Sequence, residues 1–117
     1  MKKCLFVLND APYGTERSYN ALRLARKLLE GGEAEVRVFL IGDAAACAKA
    51  GQKVASGFYN IGDMLSGVIR RKGEVAVCGT CMDARGIADA DLVEGAHRGT
   101  MDILTEWTEE ADKVLVF

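Results

Sequence analysis

Two cysteines three positions apart, Cys78 and Cys81, open the stretch Cys78-Gly79-Thr80-Cys81-Met82-Asp83-Ala84-Arg85-Gly86. A cysteine is a nucleophile only as its thiolate, so its chemistry depends on what lowers its pKa. The apolar run ending at Cys78 reads as a strand, which places this thiol at the strand's carboxyl end. Thr80 is placed to cap the turn that follows, with Asp83 completing a capping box. Free backbone N–H groups in such a turn favour a thiolate, as does the Arg85 cation nearby. Gly79 leaves room for a partner or a sulfur atom to approach. Cys78 is the candidate nucleophile and Cys81 its candidate partner, with Gly79, Thr80 and Arg85 shaping and charging the loop.

Other uses of these residues stay open. Cysteine is often a small core residue, so Cys78 also reads as an inert buried thiol. A structural zinc needs four ligands; the pair supplies two, and Cys4, Cys47 and His97 would have to converge from scattered elements, so no metal is assigned. A thioredoxin-like dithiol would sit in the first βαβ unit beside a cis-proline, whereas the one proline, Pro12, follows the first strand. A reversible Cys78–Cys81 disulfide is compatible with the spacing. Cys4 and Cys47 read as packing residues. His97 reads as a surface residue, or as a base facing the cysteine loop. The Asn9–Thr15 loop matches neither a Walker motif nor a Gly-x-Gly-x-x-Gly fingerprint, and Gly14-Thr15 is explained by turn and cap chemistry.

The elements that must position these residues alternate. Lys3–Leu8, Glu35–Ile41, Val75–Cys78 and Asp112–Phe117 are apolar runs of strand length. Helical spacing of apolar residues marks a helix from Thr15 or Glu16 to Glu30, ended by Gly31-Gly32, and another from the Asn60 cap toward Lys72-Gly73. Arg70-Arg71-Lys72 falls at that helix's end, where cations favour the dipole. A short Ala-rich helix is expected around Ala44–Ala50, a turn of helix at Cys81–Arg85, and a last helix over Thr100–Glu110 that buries Ile103, Leu104 and Trp107. Gln52–Tyr59 reads as loop. Ala88–Gly99 is ambiguous between a small helix at Asp89–Val93 and a brief strand at Glu94–Arg98. Alternating helices and apolar strands predict an open, mostly parallel sheet with helices on both faces, whose ligands bind beyond the strands' carboxyl ends.

The chain has 117 residues, half of them hydrophobic and 27% charged, which fits one globular domain, 1–117, that folds without staples. Fifteen Lys and Arg against 17 Asp and Glu give a net charge of -2, against a dedicated nucleic-acid binder. No run is long enough to span a bilayer. The apolar start of the chain stops at Asn9-Asp10 with no small-residue cleavage site after it, so a cytoplasmic protein with free thiols is expected.

The sequence resembles the DsrE/DsrF-like family, the sulfur-relay family with TusD and YchN-type branches. The resemblance is carried by the apolar strand into Cys78, by Arg85-Gly86 with its glycine eight residues beyond that cysteine, by Gly95 before Thr100, and by the ending Glu106–Phe117. It implies a three-layer α/β/α, flavodoxin-like fold with a mostly parallel five-stranded sheet, assembled as a homo-oligomer, a trimer or a hexamer. The residues themselves give four clear strands, so the fifth is either the brief one near Glu94–Arg98 or lies within the ambiguous loops. In the sulfur-relay members a strand-end cysteine at this position carries a persulfide, which implies that Cys78 takes sulfur from a donor protein and relays it to an acceptor protein, as a sulfurtransferase or a stoichiometric carrier. Cys81 departs from that carrier's motif and looks like the YchN-type branch. The alternative is an oligomeric binding or regulatory module with a redox-sensing Cys-x-x-Cys pair. Neither reading assigns a cofactor; a bound nucleotide or flavin would rest on fold analogy alone.

Overall fold

The computed structural model describes every residue from Met1 to Phe117. The four apolar runs form strands and a short polar segment adds a fifth, the fourth in chain order: β1 (Lys2–Leu8), β2 (Ala34–Leu40), β3 (Glu74–Cys78), β4 (Ala96–Gly99) and β5 (Lys113–Val116). The helices are α1 (Arg17–Glu30), α2 (Ile61–Arg70), α3 (Gly79–Ala84) and α4 (Met101–Glu110). All neighbouring strands pair in parallel, in the spatial order β4-β3-β2-β1-β5.

That order dictates the layers. From β1 to β4 the chain steps across the sheet in one direction, so right-handed crossovers put α1 and α2 on one face. The return from β4 to β5 runs the other way, and the same rule sends α4 alone to the opposite face. The larger core accordingly lies under α1 and α2, where Phe6, Leu8, Val38, Leu40, Val75 and Val77 meet Ala21, Leu22, Ala25, Leu65 and Val68. The smaller core sets Leu5, Phe39 and Ala76 against Trp107 of α4. Trp107 meets Phe39 edge-on at 6.2 Å, and the Arg37 guanidinium lies 5.2 Å from the indole centre.

One helix is about 10 Å wide, whereas five strands at about 4.8 Å spacing span roughly 20 Å. The α4 face is therefore only partly covered. Val114 and Val116 pair with Leu5 and Val7, share their face, and remain 43% and 67% exposed.

Several boundaries differ from the sequence reading for local reasons. Helix α1 starts at Arg17 because the Thr15 hydroxyl donates to the Asp10 carboxylate at 2.7 Å instead of capping the helix. The Ala-rich segment is a 3-10 helix over Gly42–Ala48 rather than a helix over Ala44–Ala50. Ala88–Gly99 holds both candidate elements in shortened form, a 3-10 turn at Asp89–Asp91 followed by β4. Asn60 and Thr100 cap α2 and α4, their side chains accepting the N–H of Asp63 at 3.1 Å and of Ile103 at 3.2 Å.

Candidate functional site

Strand β3 delivers Cys78 to the carboxyl edge of the sheet. Side chains alternate along a strand, and Cys78 shares the face of Ala76, the side only partly covered by α4. It is half-buried in consequence. Helix α3 begins at the very next residue, so Cys78 is also its N-cap: the sulfur accepts the Cys81 N–H at 3.4 Å and lies 3.4 Å from the Thr80 hydroxyl.

This corrects the expected cap. Thr80 already has helical backbone as the second residue of α3, so its hydroxyl serves the cysteine sulfur and not the helix terminus. Asp83 forms no capping box with it; its carboxylate accepts from Arg98 at 3.0 Å.

Cys81 packs its half-buried side chain toward the larger core, on the other side of the sheet edge. Its sulfur accepts the Gly42 N–H at 3.2 Å. Gly42 has φ of +59°, a left-handed conformation that glycine adopts without steric cost and that turns the chain out of β2 toward α3. Each sulfur thus has a backbone N–H donor of its own.

Two arginines pin the turn. Arg85 donates to Asp43 at 2.7 and 3.2 Å and to the Cys81 carbonyl at 3.1 Å, which ties α3 to the segment after β2. Its charge is engaged by Asp43 and lies near enough to interact with both thiols, Cys81 before Cys78. The second, Arg98 of β4, was not singled out from sequence. It donates to the Gly79 carbonyl at 3.0 Å, to Asp83 at 3.0 Å and to Asp89 at 2.8 Å. Those partners stand 19, 15 and 9 residues away, so nothing local in the sequence points to them.

Arg98 also revises the role of Gly79. A Cβ at that position would lie 2.8 Å from Arg98 Nη1 and 3.0 Å from its Cγ. The space above Gly79 belongs to Arg98, not to an approaching partner.

These contacts set the two thiols apart. Partial burial pushes Cys78 up, but hydrogen bonds from the Cys81 side chain, the Thr80 hydroxyl and the backbone N–H groups of Cys81 and Thr80 outweigh it and hold the thiol below its ordinary range. Burial also pushes Cys81 up; its hydrogen bond and negative neighbour at Cys78 add to that, against the Gly42 N–H and Arg85, and the net direction is upward. The contacts therefore favour the thiolate at Cys78 and the thiol at Cys81.

The other sequence candidates lie elsewhere. Cys4 is buried in β1, and buried Cys47 contacts the Asp10 carbonyl at 3.6 Å. His97 is exposed on β4, its Nδ1 lying 3.3 Å from the Arg98 carbonyl, and it bonds neither thiol. Trp107 is core, as expected. The principal surface hollows, 320 to 570 Å³ in volume, are lined by neither Cys78 nor Cys81. Both thiols are half-buried at the carboxyl edge of the sheet.

Comparison with known proteins places this geometry in a family. The model of the DsrE/DsrF-like family matches residues 2–117. Protein YchN of Escherichia coli K12 is 43% identical over 118 residues, with 100% of both chains covered. An uncharacterized protein of Methanopyrus kandleri is 41% identical over 111 residues, covering 95% of this chain and 90% of the relative. The crystal structure of the ychN protein from E. coli superposes with a TM-score of 0.94, covering 100% of both chains at 43% identity. A protein of unknown function from Methanobacterium thermoautotrophicum shares the fold at a TM-score of 0.79 and 14% identity, covering 98% of this chain and 99% of its own.

Proposed function

The chain belongs to the DsrE/DsrF-like family, and from that premise we propose that it is a small sulfur carrier of sulfurtransferase type, loaded at Cys78. The Cys78 thiolate attacks the outer sulfur of a donor protein's persulfide. A sulfur–sulfur bond forms to Cys78, the donor's bond breaks, and the donor leaves as its thiolate. The sulfur is held as Cys78–S–SH and passes to an acceptor thiolate by the same exchange in reverse.

The observation that carries this reading is the sulfur of Cys78 itself: half-exposed at the sheet edge, with the Cys81 N–H and the Thr80 hydroxyl 3.4 Å away. Those two donors stabilise the anion that attacks and the anion that leaves after transfer. Arg85, Arg98 and Gly79 hold the turn in which they are fixed. Donor and acceptor are proteins, each carrying its own reactive sulfur.

The whole chain acts as one DsrE-like domain, in the reducing cytoplasm, as a homo-oligomer of three or six copies. The partly uncovered α4 face supports assembly, since exposed Val114, Val116 and Met101 offer a second copy an apolar surface. No helix is long and apolar enough to cross a membrane.

A second reading has its own observation. The N–H of Gly42 on the Cys81 sulfur prepares a partner for Cys78, which suits a redox-sensing binding module whose Cys78–Cys81 disulfide changes what it binds. Incubation with a cysteine desulfurase and cysteine, followed by intact mass, separates the two. Carriage predicts a gain of about 32 Da, one sulfur atom, that is lost in Cys78→Ser. Sensing predicts no adduct and a loss of about 2 Da on mild oxidation.

A further inference from the structure

Carriage through Cys78 needs Cys81 only as a hydrogen-bond donor and makes no use of its sulfur as a nucleophile, yet the structure invests in that second sulfur. It receives the Gly42 N–H at 3.2 Å, and its carbonyl is tied by Arg85, which Asp43 holds at 2.7 Å. The same residue's backbone N–H reaches the Cys78 sulfur at 3.4 Å, so the two cysteines belong to one helical turn. Arg98 locks that turn from the other side through Gly79 and Asp83. Both sulfurs are presented together on a braced turn.

We infer that Cys81 discharges the Cys78 persulfide as sulfide whenever no acceptor takes it, which gives the protein a second activity at the site proposed above. The Cys81 sulfur attacks the inner sulfur of Cys78–S–S⁻. The Cys78–Cys81 bond forms, the bond to the outer sulfur breaks, and the electron pair leaves with that sulfur. The Cys81 proton goes to the departing atom, so Cys78–S–S⁻ and Cys81–SH become the disulfide and HS⁻. The sulfane sulfur gains two electrons and the two cysteines lose two. An external dithiol returns both cysteines to thiols for another cycle.

The hydrogen-bond donors fit each stage. The Gly42 N–H stabilises negative charge as it builds on the attacking Cys81 sulfur, and Arg85 lies close enough to act on the same charge. Hydrosulfide is a weaker base than a cysteine thiolate, and the weaker base leaves faster. An acceptor therefore competes with an internal clock: sulfur taken early is delivered, and sulfur left too long is released as sulfide.

This inference rests on the loading of Cys78, and Cys81→Ser separates the two claims. Serine keeps an oxygen that accepts the Gly42 N–H but cannot reduce a persulfide. Wild type and Cys81→Ser are loaded anaerobically with a cysteine desulfurase and cysteine, desalted, and followed without reductant by intact mass and sulfide assay; unloaded wild type controls for stray oxidation. The expected result is that the wild-type adduct of about 32 Da disappears, leaving a species about 2 Da below the unloaded mass and one equivalent of sulfide. Cys81→Ser should keep its adduct at least about tenfold longer. A wild-type adduct as long-lived as that of Cys81→Ser, or one that moves to Cys81 without sulfide release, overturns the discharge step while leaving carriage intact. Wild type and Cys81→Ser that both fail to gain the adduct, with no sulfide released, refute carriage itself.

Discussion

Replacing Gly79 by alanine should have opposite effects on stability depending on residue 98. In the wild type the new methyl would lie 2.8 Å from Arg98 Nη1 and 3.0 Å from its Cγ, so the arginine must swing away. It then loses its bond to the Gly79 carbonyl and its ion pairs with Asp83 and Asp89. The partly buried bond to the carbonyl is worth about 0.5–1.5 kcal/mol, and the exposed ion pairs each about 0–1 kcal/mol. Gly79 is helical, so alanine returns up to about 1 kcal/mol of helix propensity. The lost contacts sum to about 0.5–3.5 kcal/mol, so with the propensity returned the wild type is destabilised by up to about 2.5 kcal/mol. In an Arg98→Ala background the obstruction is gone and the same substitution should stabilise by about 0.5–1 kcal/mol. Urea denaturation of the four proteins closes the cycle, with an expected coupling of about 0.5–3.5 kcal/mol, the contacts that only Arg98 can lose. A second readout ties the clamp to chemistry: iodoacetamide labelling of Cys78 near neutral pH should slow in each single variant and slow no further in the double. Additivity within about 0.5 kcal/mol, or unchanged labelling in Arg98→Ala, would refute the claim that Arg98 braces the cysteine turn.

Burial pushes the Cys47 thiol from its ordinary 9.0 up to about 12, against a lowering bond from Ser18. The fold favours the neutral form, so this contribution is full below the unfolded pKa and is lost as pH rises through the folded one. Wild type should lose roughly 4 kcal/mol relative to Cys47→Ala between pH 9 and 12, measured as the difference between their denaturation free energies at each pH. Gly42→Ala has space for its methyl, the nearest atom being the Asn9 oxygen at 3.9 Å, but it forces alanine to φ of +59°. That should cost about 1–2 kcal/mol in thermal or urea denaturation and slow sulfide release from loaded protein; an unchanged stability would contradict the left-handed turn. Trp107→Ala removes the helix anchor of the smaller core and should cost about 3–5 kcal/mol by urea denaturation, whereas a cost below about 1 kcal/mol would mean that α4 is held by other contacts.

The parallel sheet was legible because the central parts of β1, β2 and β3, Cys4–Leu8, Val38–Leu40 and Val75–Val77, are largely buried on both faces and read as apolar runs. β4 was not: Ala-His-Arg-Gly is short, lies at the sheet edge, and exposes His97 and Arg98, so no apolar pattern marks it. Cys78 could be placed at the strand's carboxyl end because β3 stops there and a helix must follow. The identity of the cap could not, since whether Cys78 or Thr80 leaves the helical conformation first depends on where α3 begins. Helix starts elsewhere were readable when the capping oxygen had no competing partner, as at Asn60, and set one or two residues early at Thr15 or Glu16, because Asp10 captures the Thr15 hydroxyl. The clamps on the site are long-range by nature. Arg85 reaches Asp43 over 42 residues and Arg98 reaches the Gly79 carbonyl over 19, and only the folded sheet brings those groups together.

Site-resolved mass spectrometry of the desulfurase-treated protein tests the central claim most directly. Wild type, Cys78→Ser and Cys81→Ser would be treated with a cysteine desulfurase and cysteine, trapped by alkylation at early times, and digested. The account predicts one added sulfur, about 32 Da, on Cys78 in wild type and in Cys81→Ser, and none in Cys78→Ser. An adduct that persists in Cys78→Ser, or that appears in none of the three proteins, would contradict it.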